Sequence, residues 1–278
     1  MRRARGWLLL AGAYAAVAVA VASTAEPLVL RFHPEQGLTV TYEFTAEGEL
    51  AVSMPGATPE THPIHASGEY TDKVVSVQGK LRKIDRRLKS MSVEFGGQKQ
   101  DAPPEALAEA QTIVMDELGA RVDDATAQKG KPASPSGADP VEILTAGLGF
   151  IPFPETAVGV GDAWDNSTAM TLLSEDLRVA ATTTLESVYE SSGMQVALTQ
   201  TDFRCEGEMK SGPTGGAGPG PVMTVSLRGA ILQSSRIEDG CLLGMKSTMS
   251  GSATMEMPGV GSIRMELKNV NTRLQVAG

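Results

Sequence analysis

The chain has almost no soft or imidazole chemistry: two cysteines and three histidines among 278 residues, with aromatics at 4 %. That scarcity excludes a cysteine-rich scaffold and leaves little from which to build a zinc or copper site. No G-x-S-x-G elbow, H-E-x-x-H pair or Walker glycine loop occurs. The Gly212–Gly220 stretch lacks the Lys-Ser/Thr that grips phosphate. Lys and Arg nowhere form a stripe interleaved with aromatics, so nucleic acid is not an expected partner. Carboxylates are plentiful, but their spacing fits the polar faces of strands, and none stands out as a general acid/base pair. The expectation is a protein that is not an enzyme and has no cofactor.

The three histidines sit near prolines. His33 and His62 each precede one, and His65 follows His62 by three residues. Without a cysteine or carboxylate at ligand spacing they read as solvated loop residues.

The first residues carry a compartment signal. Arg2, Arg3 and Arg5 precede an uncharged apolar run, Trp7 to Ala22, and Ser23-Thr24-Ala25 offers small residues for cleavage after Ala25. No cysteine lies there to take a lipid, and no later run is long and apolar enough for a spanning helix. An exported soluble protein, periplasmic or extracellular, is expected. Without those three arginines the chain holds 21 basic and 33 acidic residues, a formal charge of −12 against −9 for the whole sequence.

What the sequence does have is alternation. From Met245 to Met257 the odd positions are Met, Ser, Met, Gly, Ala, Met and Met, and the even ones polar or small. Side chains alternate faces along a strand, so this is one strand with an apolar and a polar face. Pro258, Gly259 and Gly261 supply a turn, and alternation resumes at Ile263, Met265 and Leu267. Near Asn269 the phase slips, since Val270, Leu274 and Val276 become the apolar set; one extra residue, a bulge, would do that. Leu38 to Met54 repeats the design with Tyr42, Phe44, Leu50 and Val52, and also ends in Met-Pro-Gly. Further strands are expected at Ile64 onward, Val74–Arg86, Leu88–Phe95, Leu177–Tyr189, Met194–Cys205 and Val222–Ile237. Pro55–Pro63 is expected to be irregular. Glu238-Asp239-Gly240 makes a hairpin turn.

Between the strand-rich halves, helical spacing takes over. Asp101 can cap a helix opening on Pro103 and Pro104, with Leu107, Ala110, Val114, Met115 and Leu118 on one face and Gly119 as its stop. A second short helix is expected from Asp139-Pro140, with Val141, Leu144 and Leu148 aligned. Phe150–Pro154 is an extended apolar connector. The chain then divides into a signal peptide (1–25) and one β-rich domain (26–278). Its pseudo-halves, 26–100 and 158–278, flank a helical insert, 101–149, an order suggestive of duplication. Strands this long must coil. The expected fold is mainly β (α+β), a strongly curved, half-barrel-like antiparallel sheet with two central helices on its concave face.

Export favours a disulfide between Cys205 and Cys241, whereas a simple meander puts them at opposite ends of the sheet, beyond the ~7 Å that a bridge spans. Both readings stand on sequence alone. The methionines could be thioether ligands for Cu(I), but without histidine or cysteine beside them they read as core filler or as an adaptable apolar lining. Asn166-Ser167-Thr168 has the form of a glycosylation sequon and is read as chance.

Phe153-Pro154 followed by Val158-Gly159-Val160-Gly161-Asp162-Ala163-Trp164, with Ile237-Glu238-Asp239-Gly240 later on, resembles an uncharacterised family of bacterial exported proteins and lipoproteins. A V-x-V-G-D-x-W stretch lies midway along their β-rich chains. The resemblance covers most of the mature chain and implies a turn at Gly161-Asp162 and a core anchor at Trp164; no activity comes with it. The expected architecture is also similar to the LolA/LppX-like half-barrel carriers of lipids and lipoproteins. Together these lead to a non-enzymatic envelope protein holding a lipid or other hydrophobic molecule against the concave face, with Tyr42, Phe44, Met249, Ala253, Met255, Met257 and Met265 as lining residues. The alternative is a structural or interaction module contacting other envelope proteins.

Overall fold

The computed structural model describes residues 26–122, 150–167, 177–210, 222–257 and 261–277, without the side chains of 209, 210 and 257. The expected signal peptide and the helix at 140–148 lie outside these residues. Among the described residues, eleven strands join one antiparallel sheet. The first meander runs β1 (Thr39–Ser53), β2 (Glu60–Gln78), β3 (Leu81–Phe95) and β4 (Gln98–Asp101), with β5 (Ala110–Met115) also on β3. The second comprises β6 (Ala163–Asp165), β7 (Leu177–Ser191), β8 (Met194–Lys210), β9 (Val222–Arg236), β10 (Leu242–Met257) and β11 (Gly261–Val276). The halves join where β1 pairs with β11, giving the order β4-β3-β2-β1-β11-β10-β9-β8-β7-β6.

β2 is 19 residues long, on the order of 60 Å at ~3.3 Å per residue. Such strands curl, and here aromatic rings lie over glycines on the inner face. Phe44 opposes Gly68 and Phe203 opposes Gly229. A Cβ on Gly229 would lie 2.2 Å from the Thr248 carbonyl and 2.9 Å from the Phe203 ring. Only glycine lets the strands coil this closely. The phase slip near Asn269 is a bulge. Met249 pairs with Val270 and Gly251 with Leu267, so β11 carries one extra residue, and Asn269 adopts φ +50°.

The first predicted helix is not there. Asp101 ends β4, a helix of five residues (α1, Pro104–Ala108) buries nothing, and β5 follows at once. Apolar spacing at Leu107, Ala110 and Val114 suits either structure. Thr112-Ile113-Val114, however, is a β-branched run, and β3 presents an unpaired edge that it satisfies. Helices on the concave face are therefore not a feature of the described residues. Two smaller differences also have local causes. Gly79, at φ +57°, turns the chain inside the expected Val74–Arg86 strand. Pro63 sits within β2, opposite Glu49, because β3 ends opposite Ile64 and requires no amide there.

Extended segments, not helices, pack into one end of the curl. Leu30, Phe32, Phe153 and Val158 bury themselves against Ile84 of β3 and Leu185 and Ala197 of β7 and β8. Their backbones bridge from one side of the sheet to the other. Phe32 N–H donates to Glu117 O and Phe153 N–H to Leu118 O, just past β5; Leu28 and Val158 pair, and Gly161 N–H reaches Leu185 O on β7. The sheet is thus tied across its mouth at this end.

Candidate functional site

The larger apolar cluster lines the inner face along the sheet, drawing on β1, β2 and β7 to β11. It contains six of the seven expected lining residues; the Met257 side chain is outside the description. The six divide by depth. Tyr42, Phe44 and Met249 are buried. The Tyr42 hydroxyl donates to Leu242 O at 3.1 Å, and its ring packs 5.2 Å from Tyr70. These three belong to the structural core. Ala253, Met255 and Met265 are only half-buried, toward the end away from the tied mouth. Ala253 pairs with Met265, Met265 with Val52, and Met255 with Met223. Beyond Val52, β3 adds Met91, Val93 and Phe95, each half-buried against the same cluster. These three were missed, although their alternation with Ser92 and Glu94 is regular enough to have placed them.

Also missed was a charged pair on the apolar face. Asp72 and Arg86 oppose each other in phase with Tyr70 and Leu88. Arg86 donates through Nε and a terminal nitrogen to both Asp72 oxygens, each at 2.8 Å, and lies 4.3 Å above the Tyr70 ring. Burial works against the guanidinium charge, but the Asp72 hydrogen bonds outweigh it and hold the pKa above its ordinary value. Burial pushes Tyr70 up to about 12 and Tyr42 well above its usual range.

At the tied end the connector is held by buried polar groups. Gln233 is almost fully buried, accepting from Ile151 N–H at 2.9 Å and donating to Ile151 O at 3.3 Å and Ser235 Oγ at 3.1 Å. Asn166 donates to Pro152 O at 3.0 Å and to Thr183 Oγ1 at 2.7 Å; the latter hydroxyl is 2.8 Å from that of Thr201. The Asn166 amide is therefore committed and 3 % exposed, closed to a glycosyl group. Gly161 and Asp162 do form a turn, in which the Asp162 carboxylate accepts from Gly159 N–H at 2.7 Å. Trp164 is half-buried against the smaller cluster, 3.4 Å from Pro152 O.

The remaining candidates are dispersed. His62 and His65 lie on β2, not in a loop, and three residues apart on a strand they face opposite sides. His62 stacks 5.2 Å from Phe95, while His65 lies 3.4 Å from Glu47. Cys205 and Cys241 are free and buried. Cys205 aligns through Leu227 with Gly251, ten residues along β10 from Cys241, some 30 Å at strand rise. A cavity of about 410 Å³ lies on the other, polar face of the sheet, over β8 to β11.

No protein-family model and no curated protein sequence matches the chain. Among solved structures, one of lipovitellin, described for its lipid–protein interactions, is similar at a TM-score of 0.45 and 9 % identity over 88 % of this chain. The chain spans 25 % of that protein's length. A mutant porin of Rh. blastica gives 0.25 at 9 % identity over 85 % of this chain and 99 % of the porin. A LolA superfamily protein from Nitrosomonas europaea gives 0.15 at 7 % identity over 89 % of each chain. All three scores lie below one half, too low to imply a shared fold.

Proposed function

We propose that this is an exported, non-enzymatic envelope protein that holds an acyl chain or lipid against the inner face of its curled sheet. One observation carries the reading. Val52, Met91, Val93, Phe95, Ala253, Met255 and Met265 pack against one apolar cluster and stay half-exposed, with His62 and Glu60 of β2 between Val52 and Phe95, away from the end filled by the lead-in and connector. Ligand sites are typically such concave apolar linings with a few polar groups at one end. The Arg86–Asp72 pair lies on the same face toward the tied end, two residues from Ile84. Methionines flanking a small residue at Ala253 suit flexible, variable chains. Export rests on the first 25 residues.

The interaction-module alternative draws less support. The described edge strands, β4, β5 and β6, have four, six and three residues, and short edge strands discourage recruitment of a further strand, although β6 covers only Thr182–Thr184 of β7.

Native mass spectrometry of the mature protein from its host, followed by organic extraction, tests the proposal. A stoichiometric lipid is expected. In reconstitution with fatty acids of increasing length, affinity should rise about fourfold per methylene, the equivalent of ~0.8 kcal/mol, until the cleft is full. A clean apo mass with no length dependence would sink it.

A further inference from the structure

The cavity on the polar face collects cations in a chain that is acidic overall. Arg204 on β8 stands directly opposite Arg228 on β9, and Arg228 opposite Ser250 on β10. Like charges directly opposed on a sheet repel. Lys268 and Arg264 on β11 close the other side. The nearby carboxylates are already engaged. Glu206 lies 2.6 Å from Arg204; Glu266 lies 2.8 Å from Arg264 and 3.7 Å from Lys268. Glu49 on β1 also stands opposite Lys268, so three carboxylates meet four cations, and the charge left over lies at the Arg204–Arg228 pair, where Glu206 is the one partner. Among the described residues, no carboxylate comes within 4 Å of Arg228. Ser226, Ser250 and Ser252 add hydroxyls to the same concavity.

The bulge at Asn269 lies at this spot, between Lys268 and the Ser250 hydroxyl, which accepts the Asn269 amide at 3.2 Å. Bulges bend a sheet and re-aim side chains, and they recur beside functional sites. An opposed arginine pair with a single carboxylate, Glu206 on Arg204, set in a groove beside the bulge with hydroxyl donors, suits a tetrahedral oxyanion. Guanidinium forks match phosphate oxygens bidentately.

We propose that this outer groove binds a phosphate group, with Arg204 and Arg228 as its principal donors and Lys268 and Arg264 at its rim. The site is on the opposite face from the proposed lipid lining and does not depend on it. The phosphate could belong to a soluble ester or to a phospholipid headgroup, and both sources can be tested.

The full mature chain is titrated calorimetrically with inorganic phosphate at low ionic strength, then with added salt. Saturable one-to-one binding is expected, weakening with salt and falling at least tenfold in Arg228→Gln. Arg273→Gln, an exposed cation on the same face outside the groove, should bind as wild type does. Near-ultraviolet dichroism checks folding, and Arg204→Gln replaces Arg228→Gln if the latter does not fold. Co-flotation with phosphatidylglycerol but not phosphatidylcholine vesicles, lost in the groove variant, assigns the phosphate to a headgroup. Phosphate binding without flotation assigns it to a soluble ester. No saturable phosphate binding, or equal loss in Arg273→Gln, overturns the proposal.

Discussion

Replacing Gln233 with alanine should release the connector from the sheet. The amide makes three hydrogen bonds, two of them to the backbone of Ile151, which is 3 % exposed. Alanine leaves an N–H and a carbonyl without partners where water enters poorly. Each orphan costs about 1–3 kcal/mol, and loss of the side chain adds a cavity. Some relief comes if the segment shifts outward, so a total of about 3–5 kcal/mol is expected. For a domain of this size each kcal/mol lowers Tm by roughly 2–4 °C, so a drop of at least about 6 °C should follow.

Equilibrium urea unfolding gives the free energy, and Gln200→Ala serves as control. Gln200 is half-buried on the outer face, with one side-chain contact at 3.4 Å, to Asp202, so its change should stay within about 1 kcal/mol. A dye sensitive to exposed apolar surface should brighten with Gln233→Ala well below the unfolding midpoint, as Ile151 and Phe153 loosen. If Gln233→Ala costs under about 1 kcal/mol, or Gln233→Met is as stable as wild type, the amide does not hold the connector and the reasoning is wrong.

Gly229→Ala puts a Cβ 2.2 Å from a backbone oxygen that cannot rotate away; a loss of about 1–3 kcal/mol is expected, and a neutral result in thermal melts would show that the strands can separate. Asp239→Ala should cost about 2 kcal/mol by urea unfolding, below the ~3–5 of a fully buried pair, because Arg236 and Asp239 keep 25 % and 17 % side-chain exposure. Burial opposes the Asp239 charge, but Arg236 and the Cys241 amide outweigh it and lower its pKa. Its contribution is therefore present above the ordinary carboxylate range and lost as pH falls through the folded value; wild type and Asp239→Ala should converge in stability in acid. Burial, aided by Asp239, pushes the Cys241 thiol up to about 12, so a thiol reagent at pH 8 should label it only after unfolding. The native state holds that proton more tightly than the unfolded chain, so stability should decline as pH rises from about 8.5 toward 12.

Local pattern carried far in this chain. Alternation located the long strands, the Asp-Gly turn located the β9–β10 hairpin, and the slipped phase after Leu267 located a bulge that is present at Asn269. It failed where two structures share a spacing. The apolar positions from Leu107 to Leu118 repeat at helical intervals, and what decides against a helix is the unpaired edge of β3, which no local window contains. The apolar-face positions of β10 and β11 were legible because one hairpin carries them. The inner-face pair Asp72–Arg86 was visible as two charges in apolar phase, but an alternation search treats such residues as noise.

The outer groove shows where such reading stops. The Glu238–Gly240 turn sets Leu242 against Ser235, but an irregularity before Gly244 shifts the register by one, so Arg228 meets Ser250 where the turn alone would give Met249. Its partner Arg204 lies across the long Gly/Pro connection between β8 and β9, whose length sets no register. The β1–β11 pairing, which seals the two meanders into one curl, joins residues more than 200 apart in the chain. Each meander can form from local hairpins, but the curl needs this one distant seam. The bulge lies on it: Glu47 pairs with Asn271 and Glu49 with Lys268, so Gly48 faces the extra residue. A Cβ on Gly48 would come within 2.8 Å of the Val270 side chain. One inserted residue therefore sits on the seam between the apolar inner face and the cationic groove on the outer one. Deleting Asn269 should disturb both faces at once.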